Sequence, residues 1–443
     1  MPRRKTIPLR ETLCNMFPAA WLRKIAQECG AAQRKGKVDM AHLFWTLVLG
    51  FGIGGDKRTL AGLRRAYQRT TGVELEESSF YYRFSEGLVR MLKRACEHGF
   101  SQMAGSARSL AGPLAPFRDL LVADATVIRL KDLLAKRFPG CRTNHSKAAL
   151  KLHAVLSVTG TGENSIKVTS ERRHENRILV AGPWMRGTLL LFDLGYYDFA
   201  LFSRINKQGG YFLSRLKSNA NPLITAVHST HRGRAIDLIG KRLKEVLPRL
   251  QRDVLDVEVE ITFSRRIYAG RVRRSHMRLR MVGIKDPHTG EYHFYLTNIP
   301  TEKLAAEDIQ ATYAARWQVE LLFKELKGTY RIDDMPSANR NVVEALLYAA
   351  ILTFIASRRL LEVVRTKLKH MAERLRDQRW ARLLASIAHD LLFILTRPPR
   401  HCRHVIPGVV AMLLHEAPDP NTTRLPLIKS IEMRQHQYRR RAA

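Results

Sequence analysis

Residues 120–128 read Leu-Leu-Val-Ala-Asp-Ala-Thr-Val-Ile, a run whose two alternating faces are both largely apolar. Side chains alternate across a strand, so a strand apolar on both faces must be buried on both, as in the middle of a sheet covered on each side. That run constrains the chain more than any other. It also holds Asp124, and a carboxylate inside such a strand is costly unless it is paired, protonated or bound to a cation. Taken alone, Asp124 is equally a satisfied structural residue at a strand bulge.

Further strands are predicted at 150–160, 165–172, 188–197 and 209–217, with a turn at 160–162 and a short helix at 175–182. Three strands in succession, then helix and strand alternating, give a mixed sheet with helices on its faces. Asp193 follows the apolar run 189–192, near the carboxyl end of its strand. In open α/β sheets that edge is where ligands bind; the plainer account is an Asp opening a turn at Gly195. From 219 to 300 a second β-rich stretch has strands at 254–263, 277–284 and 292–296, and helices return from 301 to about 395. Residues 9–108 read as helical, with a helix at 60–69, a turn at 70–77 and a helix at 78–96 opened by Ser78. Two helices across a short polar turn suit a helix-turn-helix reader, with Arg64, Arg65, Arg69, Arg83 and Arg90 available to phosphates; a helical bundle with a basic face is the alternative.

The most specific element is 312–327, a strongly helical segment. At about 100° per residue, Tyr313, Arg316, Glu320 and Lys327 emerge within a wedge of roughly 60°, with Lys324 beside it. One acid among cations and a phenol on a single stripe suits a site for a metal and phosphates. The alternative is a solvated helix with i,i+4 ion pairs from Glu320 to Arg316 and Lys324.

Charge narrows the partner. Lys and Arg number 75 against 40 Asp and Glu, a formal net charge of +35, which favours a polyanion. The longest apolar stretches, 42–54 and 345–357, fall short of the roughly 20 residues that span a bilayer, so nucleic acid is expected and a membrane is not. Five scattered cysteines without a C-x-x-C pair predict neither disulfides nor zinc, and fit a reducing cytosol. His145, His153 and His174 form no zinc-hydrolase motif. Gly50-x-Gly52-x-x-Gly55 matches a dinucleotide fingerprint only formally, because the preceding segment is helical. No phosphate-binding Walker loop is present.

Tyr-x(2)-Arg-x(3)-Glu-x(6)-Lys, at Tyr313, Arg316, Glu320 and Lys327, resembles the signature of the insertion-sequence-four family of DDE transposases, as do Asp124-Ala-Thr and Asp193-Leu-Gly-Tyr-Tyr. The resemblance covers about 120–332. It implies a ribonuclease-H-like core with a β-rich insertion, and a catalytic, metal-binding triad of Asp124, Asp193 and Glu320 holding two Mg²⁺ or Mn²⁺ ions. Tyr313, Arg316 and Lys327 would contact double-stranded DNA, with Lys324 as a weaker candidate; apart from the resemblance, Arg215 and Lys217 near the end of a core strand are either DNA contacts or, equally, a solvated strand end. The implied activity is cut-and-paste transposition in the bacterial cytoplasm: cleavage at terminal inverted repeats, a hairpin intermediate, and joining of 3′ ends to target DNA by a homodimer. A host-adapted nuclease or resolvase of the same fold, or a non-catalytic DNA-binding descendant, would share most of these features. The expected fold class is multidomain α+β: a helical DNA-binding domain at 1–110, the core at 111–218 and 301–365, the β-rich insertion at 219–300, and a helical region at 366–443.

Overall fold

The structure is a computed structural model, and it describes residues 7–32, 36–51, 59–103, 109–141, 147–158, 164–229, 237–264, 274–421 and 427–434. Gly52 and Gly55, the 160–162 turn, His145 and the basic tail beyond Arg434 lie outside these.

The described residues form one nine-stranded sheet between helices. Its strands are β1 (Asp119–Leu130), β2 (Ala148–Ser157), β3 (Ser165–Ser170), β4 (Thr188–Phe192), β5 (Tyr211–Arg215), β6 (Leu223–Val227), β7 (Val254–Ser264), β8 (Arg274–Lys285) and β9 (Tyr292–Thr297), in the order β3-β2-β1-β4-β5-β9-β8-β7-β6. β1, β4 and β5 run parallel, and β2 and β3 pair antiparallel on the other side of β1. The doubly apolar run therefore sits where its pattern required. Leu120 and Val122 face a large core built with the helices, while Leu121 and Ala123 face a second core with the Phe199–Lys207 helix.

The stretch 219–300 adds no separate layer. β9 pairs antiparallel with β5, and β8, β7 and β6 follow outward, so this stretch extends the same sheet. β6 went unforeseen: it has five residues, and its pairing with β7 is broken by an irregularity between Ile224 and Ala226. The expected 175–182 helix is only the 3-10 turn Glu175–Arg177.

Two other expectations are corrected. The 78–96 helix is two helices, Glu77–Tyr81 and Glu86–Met103, because the chain tightens at Arg83 and Phe84 and restarts with Ser85 Oγ accepting from the Leu88 amide at 3.3 Å. Of the arginines assigned there to phosphates, Arg64 donates to the Leu75 carbonyl and Arg90 to that of Cys29. The 312–327 helix is also two, Ala306–Ala314 and Trp317–Gly328, joined by i→i+3 bonds through Ala315 and Arg316. Tyr313 thus stands on a different helix from Glu320 and Lys327.

The 28-residue helix Arg340–Lys367 is apolar nearly all round and buried along most of its length. It packs on Glu86–Met103, so helices from both ends of the chain share one core with the sheet. In Asp377–Thr396, Leu384, Ile387, Leu391 and Leu395 are buried in that core. Among the described residues no helix is long and apolar enough to cross a membrane.

Candidate active site

The register of β1 on β4 builds the centre of the site. Ala123 pairs with Phe192, the last residue of β4, so Asp124, still within β1, and Asp193, the first residue past β4, follow that pair at the same edge of the sheet. Alternation turns both away from the second core, where Ala123 and Phe192 point. Asp124 is 9% exposed; its Oδ1 accepts from the Ala125 amide at 2.7 Å, and the Tyr196 hydroxyl donates to its carbonyl at 3.5 Å. Burial, then the negative charge of Asp193, push the Asp124 carboxyl up to about 7. Asp193 caps the 3-10 turn Leu194–Tyr196, its Oδ1 accepting from the Gly195 amide at 2.9 Å. The strand therefore stops before Asp193 and does not run on to residue 197.

Opposite them stands the Trp317–Gly328 helix. Arg316, just before its first turn, donates through Nη1 to Asp124 Oδ2 at 3.1 Å and through Nη2 to Glu320 Oε1. Asp124, Asp193, Arg316, Glu320, Lys324 and Lys327 line one open cleft of about 660 Å³. Lys327 Nζ donates to the Val127 carbonyl at 3.0 Å, fastening the helix to β1. Lys324 is exposed, with its ammonium 5.0 Å from the Trp317 ring centre.

Tyr313 stands behind the cleft. Its hydroxyl donates to the Phe192 carbonyl at 3.0 Å, directly before Asp193, its ring lies 5.7 Å from the Arg316 guanidinium, and burial pushes its phenol up to about 12. Arg215, at the end of β5, is outside the cleft lining; it is exposed and bonds His293 Nδ1 at 2.9 Å.

The donor set suits a hard divalent cation, which prefers carboxylate oxygen. Two neighbouring carboxyls, one of them buried and pushed up to about 7, are a pair that a cation would stabilise in the charged form. Among the described residues no three of His, Cys, Asp and Glu gather closely enough to hold a metal. Here the Arg316 guanidinium stands between Asp124 and Glu320, spacing them by its own width.

One neighbour escaped sequence reasoning. Glu175 lies beside the Asp193 turn and is bonded to Lys151 at 3.1 Å. Burial and Asp193 raise its carboxyl, and Lys151 opposes them. Neither spacing nor periodicity links residues 151, 175 and 193; only the folding of the β3–β4 link brings them together.

Residues 115–355, more than half of the chain, match the family described as "Transposase DDE domain". Curated relatives include the transposase for insertion sequence element IS231F of Bacillus thuringiensis subsp. israelensis, 22% identical over 380 residues and 78% of each chain. The transposase for IS1151 of Clostridium perfringens is 21% identical over 385 residues and 79% of each chain. The transposase for IS231E of Bacillus thuringiensis subsp. finitimus is 22% identical over 438 residues, 91% of this chain and 90% of its own. A solved structure of the piggyBac transposase synaptic complex with hairpin DNA aligns over 95% of this chain and 87% of its own, at 11% identity and a TM-score of 0.45.

Proposed function

The chain belongs to the DDE-domain transposase family, and from that membership we propose that Asp124, Asp193 and Glu320 are the triad with which it cuts and rejoins DNA. It is a DNA transposase of an insertion sequence, a metal-using enzyme that cleaves and transfers DNA strands. The observation that carries the triad is the strand register, which sets Asp124 beside Asp193 at the floor of a cleft with Glu320 on the facing helix. The finer assignment, to the insertion-sequence-four group, rests on Tyr313, Arg316, Glu320 and Lys327. The order β3-β2-β1-β4-β5, with only β2 antiparallel to its neighbours, supports a ribonuclease-H-like core.

In this reading the three carboxylates hold two Mg²⁺ or Mn²⁺ ions, which when bound activate the attacking oxygen and stabilise the departing one. The chain's own residues do the rest. Arg316 is placed to exchange a carboxylate for a DNA phosphate, its planar fork suiting bidentate contact. Lys324 and Lys327 on the cleft wall attract the backbone on either side. Tyr313 holds the Phe192 carbonyl and so fixes the residue before Asp193. Arg215, away from the cleft, is placed to meet DNA only beyond the point of cleavage. The helices at 1–110 are assigned to binding the element's ends, and a homodimer to bridging two of them.

The test is Mg²⁺-dependent cleavage of DNA carrying the element's terminal inverted repeats. Wild type should cut at the ends, and Glu320→Ala should not. Undiminished cutting by Glu320→Ala removes that residue from the mechanism.

A further inference from the structure

Glu175 opens a 3-10 turn in the link between β3 and β4. Its Oε1 accepts from Lys151 Nζ at 3.1 Å, and the two side chains are only 16% and 15% exposed. The other oxygen faces Gly195. A Cβ placed on Gly195 would lie 1.9 Å from Glu175 Oε2 and 3.1 Å from Asp193 Oδ1, so these two oxygens are at most 5.0 Å apart. Gly195 has no left-handed backbone angle. Its missing side chain is explained by this approach, not by backbone conformation.

We propose that Glu175, clamped by Lys151, is a positioning residue for Asp193: it walls in the Asp193–Gly195 turn and adds negative charge beside it, strengthening the hold of Asp124 and Asp193 on a divalent cation. This rests on the reading of those two aspartates as metal ligands. Here Lys151 takes one oxygen, and the other is turned to the loop that supports Asp193. Residues that orient metal ligands without touching the metal affect affinity roughly 10–100-fold when replaced.

The experiment titrates the full-length protein with Mn²⁺ alone, without DNA, and follows the thermal midpoint. Wild type should gain stability on adding Mn²⁺. Measured from its own metal-free midpoint, Glu175→Gln should need roughly tenfold more Mn²⁺ for the same gain, and Glu175→Asp, which keeps the charge on a shorter arm, should fall between. Asp193→Asn should lose the gain. If Asp193→Asn loses it while both Glu175 variants titrate like wild type, the role of Glu175 is overturned and the metal reading stands. If Asp193→Asn keeps the full gain, the metal reading itself fails. Should Glu175→Gln not fold, Glu175→Asp decides alone, and a wild-type curve from it overturns the proposal.

Discussion

Arg316 ties Asp124 to Glu320, donating to one carboxylate from each terminal nitrogen across the cleft, with its side chain 18% exposed. A cation already between two proposed metal ligands competes with a metal, yet it is also the group best placed to grip a phosphate. Arg316→Ala should therefore separate the two roles: divalent-cation affinity rises while strand cleavage falls, by roughly 10²-fold if one charge-stabilising group is lost. Arg316→Lys should not rescue cleavage, because an ammonium cannot grip a phosphate in the bidentate way the planar fork does. Weaker metal binding by Arg316→Ala would show that Arg316 organises the acids instead of competing for them.

The Asp124 carboxyl, pushed up to about 7 from an ordinary 3.8, makes stability depend on pH in a stated direction. Between those values the folded, metal-free protein keeps a proton that the unfolded chain has released. This contribution is therefore full at low pH and is lost as pH rises through about 7. In EDTA, the thermal midpoint of wild type should fall relative to Asp124→Asn from pH 5 to pH 8. With Mn²⁺ present the trend reverses, since the ion replaces the proton, and the metal-induced gain should grow with pH. Parallel pH curves for the two proteins would place the Asp124 carboxyl in the ordinary range.

That Asp124 and Asp193 would meet at one edge of the sheet was legible because one acid lies within an apolar strand and the other directly follows one, and the parallel register of Ala123 on Phe192 sets the two beside each other. Glu320 was legible from its helix stripe, although Arg316 marks a break that periodicity does not reveal: i→i+3 and i→i+4 bonding differ too little in angle over two residues. Glu175 was illegible, since its part depends on a loop packing against Gly195. The shared core of the first helices with Arg340–Lys367 was equally hidden, because an apolar face does not name its partner. The sheet extension through β9 was missed for the same reason: strand periodicity says nothing about which edge a strand joins.

A buried charge network fixes the Trp317–Gly328 helix from behind. Glu325, 1% exposed at its side chain, pairs with Arg358 at 2.6 Å and accepts from the Tyr330 hydroxyl at 2.9 Å; Arg358 also pairs with Asp377 at 2.6 Å. Removing one member of such a set strands a charge away from water. Arg358→Met should cost about 3–5 kcal/mol in urea denaturation, and adding Glu325→Leu should recover part of that loss. A cost below about 1 kcal/mol would mean that water reaches Glu325 as it reaches surface pairs.

Gly87 should behave opposite to helix propensity. Alanine in place of glycine inside a helix ordinarily stabilises by about 0.5–1 kcal/mol. A Cβ on Gly87, however, would lie 2.4 Å from the carbonyl carbon and oxygen of Gly30 and 2.6 Å from the Ala31 nitrogen, all backbone atoms. Gly87→Ala should thus destabilise by about 1–3 kcal/mol as the two segments are forced apart. Gly99 is the control, because its Cβ would meet side-chain atoms of Ile355 and Phe17 at 2.9 and 3.0 Å, which can yield. Chemical denaturation of both variants should rank Gly87→Ala as the less stable, and the reverse order would refute the close approach.

Lys324 and Lys327 share one wall of the cleft, yet they should contribute differently to DNA affinity. A formal charge of +35 makes binding to DNA fall steeply with salt, because each neutralised phosphate releases counterions. Lys324 is exposed, and among the described residues its ammonium makes only a ring contact with Trp317, which leaves it placed to take a phosphate; Lys324→Ala should reduce the slope of log K against log salt by about 1. Lys327 must first leave the Val127 carbonyl, and that bond also anchors the helix bearing Glu320. Lys327→Ala should consequently lower the thermal midpoint of the free protein, which Lys324→Ala should not. Equal salt slopes for wild type and Lys324→Ala, measured on the same DNA end, would take Lys324 out of the phosphate path and leave Arg316 and Lys327 as the cations of that wall.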